Sequence, residues 1–218
     1  MKYRYLTFDC YGTLIDWRSG IEGELRSALG EVRITGQDLL DAYVSAEKQQ
    51  ESTYKRYREV LRRTVMSLSG ELGIDITEGG ARKFAASVPR WPAFPDTKKF
   101  LKEMGSRGYK RYILSNVDND LLEETIRRNG LEVDGHVTAE DVGSYKPNYG
   151  HWTEFMRKTG ARKEDILHVA QSVYHDIVPT QELGIASAWV NRYNEPMPVG
   201  PHPLLVSDSL AHLGEILD

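Results

Sequence analysis

The 218-residue chain contains one cysteine, Cys10, so neither an internal disulfide nor a thiolate metal cluster can be built from it. No stretch approaches the roughly 20 apolar residues that span a bilayer. The opening MKYRYLTFD runs straight into a strand pattern, without the charged-then-apolar order of a secretion signal. The net charge of −4 gives no electrostatic reason to expect nucleic acid or an anionic membrane as partner. Internal repeats and low-complexity segments are also absent. These absences read as a soluble, cytoplasmic protein with no nucleic-acid or membrane partner.

What is present is ordinary globular material, 40% hydrophobic and 28% charged, long enough for one core and a smaller module. Tyr3 to Phe8 (YRYLTF) reads as a buried strand whose end reaches Asp9, and Gly12 allows a tight turn after it. From Trp17 to about Trp91 the texture becomes helical. GELRSALGEV, the long piece from Asp38 to Gly73 and EGGARKFAASV carry apolar residues at three- and four-residue spacings among many charges. Gln37 to Gly70 has no interior proline or glycine, so one or two helices fill it. Pro89, Pro92 and Pro95 then punctuate a return. The chain thus divides into a core of residues 1–16 and 93–218 and an inserted helical domain of residues 17–92.

From Asp96 onward, helical segments alternate with the strands YKRYILS, HVTA, ILHVA and ASAWVN, and the helix SLAHLGEIL ends the pattern. That alternation predicts an α/β fold, a doubly wound, mostly parallel sheet with helices on both faces. In such sheets ligands bind beyond the carboxyl ends of the strands, where the strand order reverses. Polar residues cluster at four such ends: Asp9; Ser115 and Asn116; a segment leading to Lys146; and Gln171 with Ser172, followed by Asp176. Asn194 to Pro203 holds four prolines and reads as an irregular loop.

Asp9-Cys10-Tyr11-Gly12-Thr13-Leu14 after a strand resembles the first motif of the haloacid dehalogenase superfamily. Ser115 after YIL resembles the second, Lys146 in SYKPN the third and Asp176 in HVAQSVYHD the acidic fourth. FDCYGTL, ILSN, YKP and GIASAWVNR are most similar to the type II (S)-2-haloacid dehalogenases. The resemblance implies a Rossmann-like core with an inserted helical cap. It implies a hydrolase in which Asp9 attacks the halogen-bearing carbon of a small 2-haloacid, forming an ester that water then cleaves.

Asp9 must be ionised to attack, and Lys146 is the cation placed to favour that. Superfamily phosphatases carry a second aspartate where this chain has Tyr11. That acid protonates a departing alkoxide; a halide is a weak base and leaves without a proton. Gln171 likewise stands where phosphatases usually have the first acid of the fourth motif. The site therefore reads as metal-free and without a cofactor. Were magnesium bound, its ligands would be Asp9, the Tyr11 backbone and Asp176.

The resemblance assigns Ser115 and Asn116 to the substrate carboxylate, Asp176 to Lys146 or the hydrolytic water, and Thr13 and Ser172 to positioning. His175 is either an acid–base group or a helix-start residue. Two departures stand out: Val173 occupies the place of a type II asparagine, and the sequence does not place an equivalent of the halide-binding cap arginine. The cap offers Lys48, Gln49, Gln50, Tyr54, Lys55, Arg56 and Arg58. Alternatives stay open: a magnesium-dependent phosphatase or phosphonate hydrolase, carbon–nitrogen hydrolysis of a 2-substituted carboxylic acid with Tyr11 or His175 as proton donor, and a silent binding module. Tyr54 and Tyr57 read as exposed cap aromatics that could support a homodimer.

Overall fold

Strands that lie inside a parallel sheet are covered on both faces and so read as unbroken apolar runs. The computed structural model describes residues 2–29, 36–72, 76–197, 199–200 and 202–217. It contains six strands: β1 (Tyr5–Phe8), β2 (Lys110–Ser115), β3 (Gly135–Thr138), β4 (Ile166–Ala170), β5 (Ala186–Val190) and β6 (Leu205–Ser207). All pair in parallel, in the order β3-β2-β1-β4-β5-β6. β1 and β4 are buried at every residue. Phe8 lies level with Ile113 on one side and Val169 on the other. Strand order reverses between β1 and β4, so Asp9 emerges at the switch point where such sheets hold their ligands.

The inserted segment forms α1 (Trp17–Leu29), α2 (Gly36–Gln50), α3 (Tyr57–Leu72) and α4 (Glu78–Ala85). The core adds α5 (Thr97–Ser106), α6 (Asn119–Asn129), α7 (Ala139–Val142), α8 (Gly150–Thr159), α9 (Val178–Leu183) and α10 (Leu210–Ile216). Alternation along β1 divides the two faces. Leu6 and Phe8 join Phe100 and Leu101 of α5 and Leu210 and Leu213 of α10. Tyr5 joins Trp152 and Phe155 of α8. Each such side chain, fully buried, is worth about 1.5–3 kcal/mol. The apolar cluster over Leu6 and Phe8 continues into the inserted helices through Leu39, Tyr43, Phe84 and Trp91.

The two strands of chain that join these parts run side by side. Asp16 N–H donates to Pro92 O at 2.8 Å and Phe94 N–H to Leu14 O at 3.0 Å. No helix among the described residues is long and apolar enough to cross a membrane.

The long helical piece forms two helices, as expected of its length, with Glu51–Arg56 between α2 and α3. Other expectations are corrected. β6 was not read from the sequence, because three residues after a proline-rich loop carry too little pattern. HVTA ends one residue early: Thr138 caps α7 in a capping box with Asp141. The helix expected over GELRSALGEV is seen to Leu29; Gly30 to Val32 lie outside the described residues, as does Gly73. Residues 194–197, 199–200 and 202–203 form no helix or strand, in keeping with the expected loop, while Pro198 and Pro201 lie outside the described residues.

Tyr54 and Tyr57 are not exposed. Both are half-buried and pack on Tyr145, with ring centroids 5.5 and 6.4 Å away.

Candidate active site

The carboxyl ends of β1, β2 and β4 face a cavity of about 240 Å³, roofed by α1, α2 and the start of α3. Asp9, Tyr11, Ser115, Asn116, Lys146, Gln171, Ser172, His175 and Asp176 line its floor, so every site residue expected from the core except Thr13 borders one space. Thr13 sits just beneath it.

Asp9 is almost fully buried, and both of its carboxylate oxygens are held. Lys146 Nζ donates to Oδ1 at 2.8 Å, and Thr13 Oγ1 donates to Oδ2 at 2.9 Å. The Thr13 hydroxyl also accepts from Gln171 N–H at 2.9 Å, which leaves its own proton for Asp9. Gly12, at φ +105°, makes the turn that brings Thr13 back under Asp9.

Lys146 has no exposed side-chain surface, and its three N–H donors are all taken: Asp9 Oδ1, Asp176 Oδ1 at 2.7 Å and Leu114 O at 2.9 Å. A buried ammonium is tolerated only when so surrounded. Burial alone would lower its pKa, but Asp176 and Asp9 raise it, and it stays protonated. Burial pushes the Asp9 carboxyl up and Asp176 adds to this, while Lys146 opposes both. Burial would also raise Asp176, but Lys146 and His168 hold it well below the usual carboxylate range.

His168 was not picked out from the sequence. On β4 it reads as one more residue of a buried strand, yet its Nε2 meets Asp176 Oδ1 at 2.9 Å and its Nδ1 meets Thr7 Oγ1 at 2.8 Å. His151, also missed, places Nε2 3.1 Å from Ser115 O, and burial pulls its pKa down to about 3.

Two expected roles change, and His175 takes its helix-start alternative. The Asn116 side chain clamps the Lys146 backbone, accepting from its N–H at 2.7 Å and donating to its carbonyl at 3.1 Å, rather than turning its amide to the cavity. Tyr11 OH lies 2.9 Å from Thr125 Oγ1, whose own proton goes to Leu121 O at 2.7 Å. The Tyr11 proton is thereby committed to Thr125, and burial lifts its pKa well above the usual range, so it is not placed as an acid. His175 lies in a π-helical turn (Val173–Ile177) capped by Ser172 Oγ, which accepts from His175 N–H at 3.1 Å; burial lowers its pKa.

Two buried atoms on the floor have no hydrogen-bond partner: Ser115 Oγ and Asp176 Oδ2. Each is open to a ligand or a water.

The roof differs from expectation. None of Lys48, Gln49, Gln50, Tyr54, Lys55, Arg56 or Arg58 lines the cavity. Arg56 and Arg58 pair instead with Glu140 and Asp120. Lys55 Nζ donates to Gln50 O and Thr53 O. The roof is made by Trp17, Ile21, Val44, Glu47, Glu51, Tyr57 and Trp91. Val44, Glu47 and Glu51 follow the i, i+3, i+7 spacing of one helix face, and Glu51 N–H still bonds Glu47 O at 3.1 Å. That spacing was the available signal, masked by the many other charges on the same helix.

Glu47 accepts from Tyr43 OH at 2.8 Å and Tyr57 OH at 2.9 Å, and burial raises its pKa. The Glu51 carboxyl is pushed up to about 8, by burial first and the charge of Glu47 second.

For magnesium, the floor offers two carboxylates, each already turned to the Lys146 ammonium. Among the described residues no group of three His, Cys, Asp or Glu is arranged to hold a metal ion. The donor set does not suit an ion that prefers several oxygen ligands.

Comparison with known proteins agrees with this fold. The haloacetate dehalogenase H-2 of Moraxella sp. (strain B) is 24% identical over 202 residues, 88% of this chain and 87% of that protein. A glyceraldehyde 3-phosphate phosphatase of Methanothermobacter thermautotrophicus is 31% identical over 145 residues, 64% of this chain and 62% of its own. The L-2-haloacid dehalogenase of Xanthobacter autotrophicus, solved with chloropropionic acid covalently bound, superposes with a TM-score of 0.86 at 19% identity, covering 99% and 98% of the two chains. The sequence model of the haloacid dehalogenase-like hydrolases matches residues 3–178, and the chain belongs to that family.

Proposed function

We propose that this hydrolase displaces a leaving group from the carbon next to the carboxylate of a small acid, with Asp9 as nucleophile, and that halide is a leaving group it expels. One observation carries the reading. Asp9 is held by Lys146 and Thr13 at the floor of the cavity, and no carboxylic acid stands two residues after it to protonate a basic leaving group.

In this mechanism the fixed Asp9 carboxylate attacks the substituted carbon, the carbon–halogen bond breaks and halide leaves with the bonding pair. Lys146 and Thr13 orient the carboxylate and keep it charged. Ser115 Oγ, buried and unpartnered, is placed to donate to the substrate carboxylate. Water then adds to the Asp9 ester carbonyl. Asp176 Oδ2, also unpartnered, is placed to accept a hydrogen bond from that water, and the step returns Asp9 with a 2-hydroxy acid and a proton. No metal takes part in the scheme. A relative named for haloacetate dehalogenation supports the choice of halide. A phosphate ester fits less well, because the Tyr11 proton is committed to Thr125 and the floor lacks a magnesium donor set.

The test is halide release from chloroacetate, fluoroacetate and (S)-2-chloropropionate by chelator-treated protein beside Asp9→Asn. Release that needs Asp9 and ignores the chelator is the expected result. Silence on all three acids, with phosphatase activity appearing on added magnesium, overturns it. Protein mass after rapid quenching should show the carboxyalkyl ester on Asp9.

A further inference from the structure

Carboxyl groups outnumber cations in the cavity lining. Among the described residues, Asp9, Asp176, Glu47 and Glu51 face it against the single ammonium of Lys146, and no arginine lines it. Lys146 has no donor left, since Asp9, Asp176 and Leu114 take all three. Glu47 is satisfied by two tyrosine hydroxyls. Among the described residues no side chain donates to the Glu51 carboxylate. Trp17, Ile21, Val44 and Trp91 wall the space with apolar surface, which strengthens any charge pairing inside it. On the floor, two further buried groups await a ligand: Ser115 Oγ, a donor, and Asp176 Oδ2, an acceptor.

We propose that Glu51, with Glu47 beside it, recognises a basic nitrogen on the substrate, so that the cavity takes small amino acids as zwitterions: ammonium to the roof, carboxylate to the floor. This rests on the reading of the cavity as the site where Asp9 acts, and it narrows the substrate class within that reading. The roof has what an ammonium group needs, a carboxylate without a donor of its own. Without a ligand, Glu51 keeps its proton near neutrality, because burial and the charge of Glu47 raise its pKa by more than Lys146 lowers it. A cation entering beside it takes the place of that proton, so binding releases a proton to solvent.

The experiment compares two probes of one shape, proline and tetrahydrofuran-2-carboxylate, which differ in the ring NH₂⁺ and oxygen. Calorimetry on the full chain at pH 7, repeated in two buffers of different ionisation enthalpy, gives affinity and protons released. Proline should bind at least about tenfold tighter and release a proton fraction, and Glu51→Gln should cut the preference to within about threefold and abolish the release. Equal binding of the two probes, binding of neither, or a preference unchanged in Glu51→Gln overturns the proposal. The wild-type comparison needs no variant, so a misfolded Glu51→Gln leaves the test intact. Halide release by the wild-type protein reports separately on the Asp9 reading, and its absence would not alter a measured preference for the ammonium probe.

Discussion

Asp118 caps a helix that begins 61 residues before it: its Oδ1 accepts from the Tyr57 backbone N–H at 2.8 Å, and its Oδ2 accepts from Arg58 N–H at 3.0 Å. The carboxylate is buried at the start of α6, in the core, while the helix belongs to the inserted segment. The long helical piece breaks where it does because a distant acid supplies the acceptors that a local N-cap would otherwise give. Asp118→Ala should therefore lower stability by about 1–3 kcal/mol, readable as a drop in the urea midpoint. Because Tyr57 lines the cavity, the variant should also raise KM more than it lowers kcat. An unchanged midpoint would mean that the α3 amides find water equally well.

Lys146 holds two buried carboxylates at once, so its removal leaves like charges facing each other without a counter-ion. Lys146→Met should lose activity by about three orders of magnitude or more, in both adduct formation and turnover. Its stability should fall by about 3–5 kcal/mol. Combining it with Asp176→Asn should recover part of that stability and none of the activity. Additive losses in the double variant would argue against the coupling read from the geometry.

Tyr11→Phe separates a packing role from a chemical one. The hydroxyl bonds Thr125 and is not presented to substrate. The variant should keep haloacid turnover within about threefold and lose about 1 kcal/mol of stability. A hundredfold fall in kcat with stability unchanged would restore the phenol to the catalytic set.

Much of this was legible because chemistry placed at strand ends survives errors in element boundaries. Asp9 and Ser115 stand at the ends of apolar runs, Lys146 and Asp176 lie in the segments that follow β3 and β4, and the parallel sheet brings all four to one edge. What was not legible depended on contacts distant in sequence. Nothing in ESTYKR marks a helix break; Asp118 does that from the core, and Tyr145 OH adds a bond to Lys55 O at 2.7 Å. His168 is hidden in the run ILHVA, where only the neighbouring Asp176 gives it meaning. The free proton of Tyr11 cannot be judged without knowing that Thr125 lies above it. Glu47 and Glu51 resemble any charged pair on a helix rich in charge, and only the fold turns their stripe inward.

The last prediction follows from Glu51. Its folded-state pKa, about 8, lies above the ordinary 4.5 of an unfolded glutamate, so the folded state binds more protons between those values. A group raised in this way contributes stability fully below the unfolded value and loses it as pH rises through the folded one. Glu51→Gln lacks the titration but keeps the size and shape. The melting temperature of the variant should therefore match the wild type near pH 5 and exceed it by a widening margin towards pH 8. The slope of the difference is bounded by about 1.4 kcal/mol per pH unit for one proton. Glu47, Tyr43, Tyr57, Tyr145 and Lys146 all interact with Glu51 and are unchanged in the variant. Two melting curves that stay parallel from pH 5 to pH 8 would show that Glu51 is ionised throughout, and the roof of the cavity would then carry a fixed negative charge.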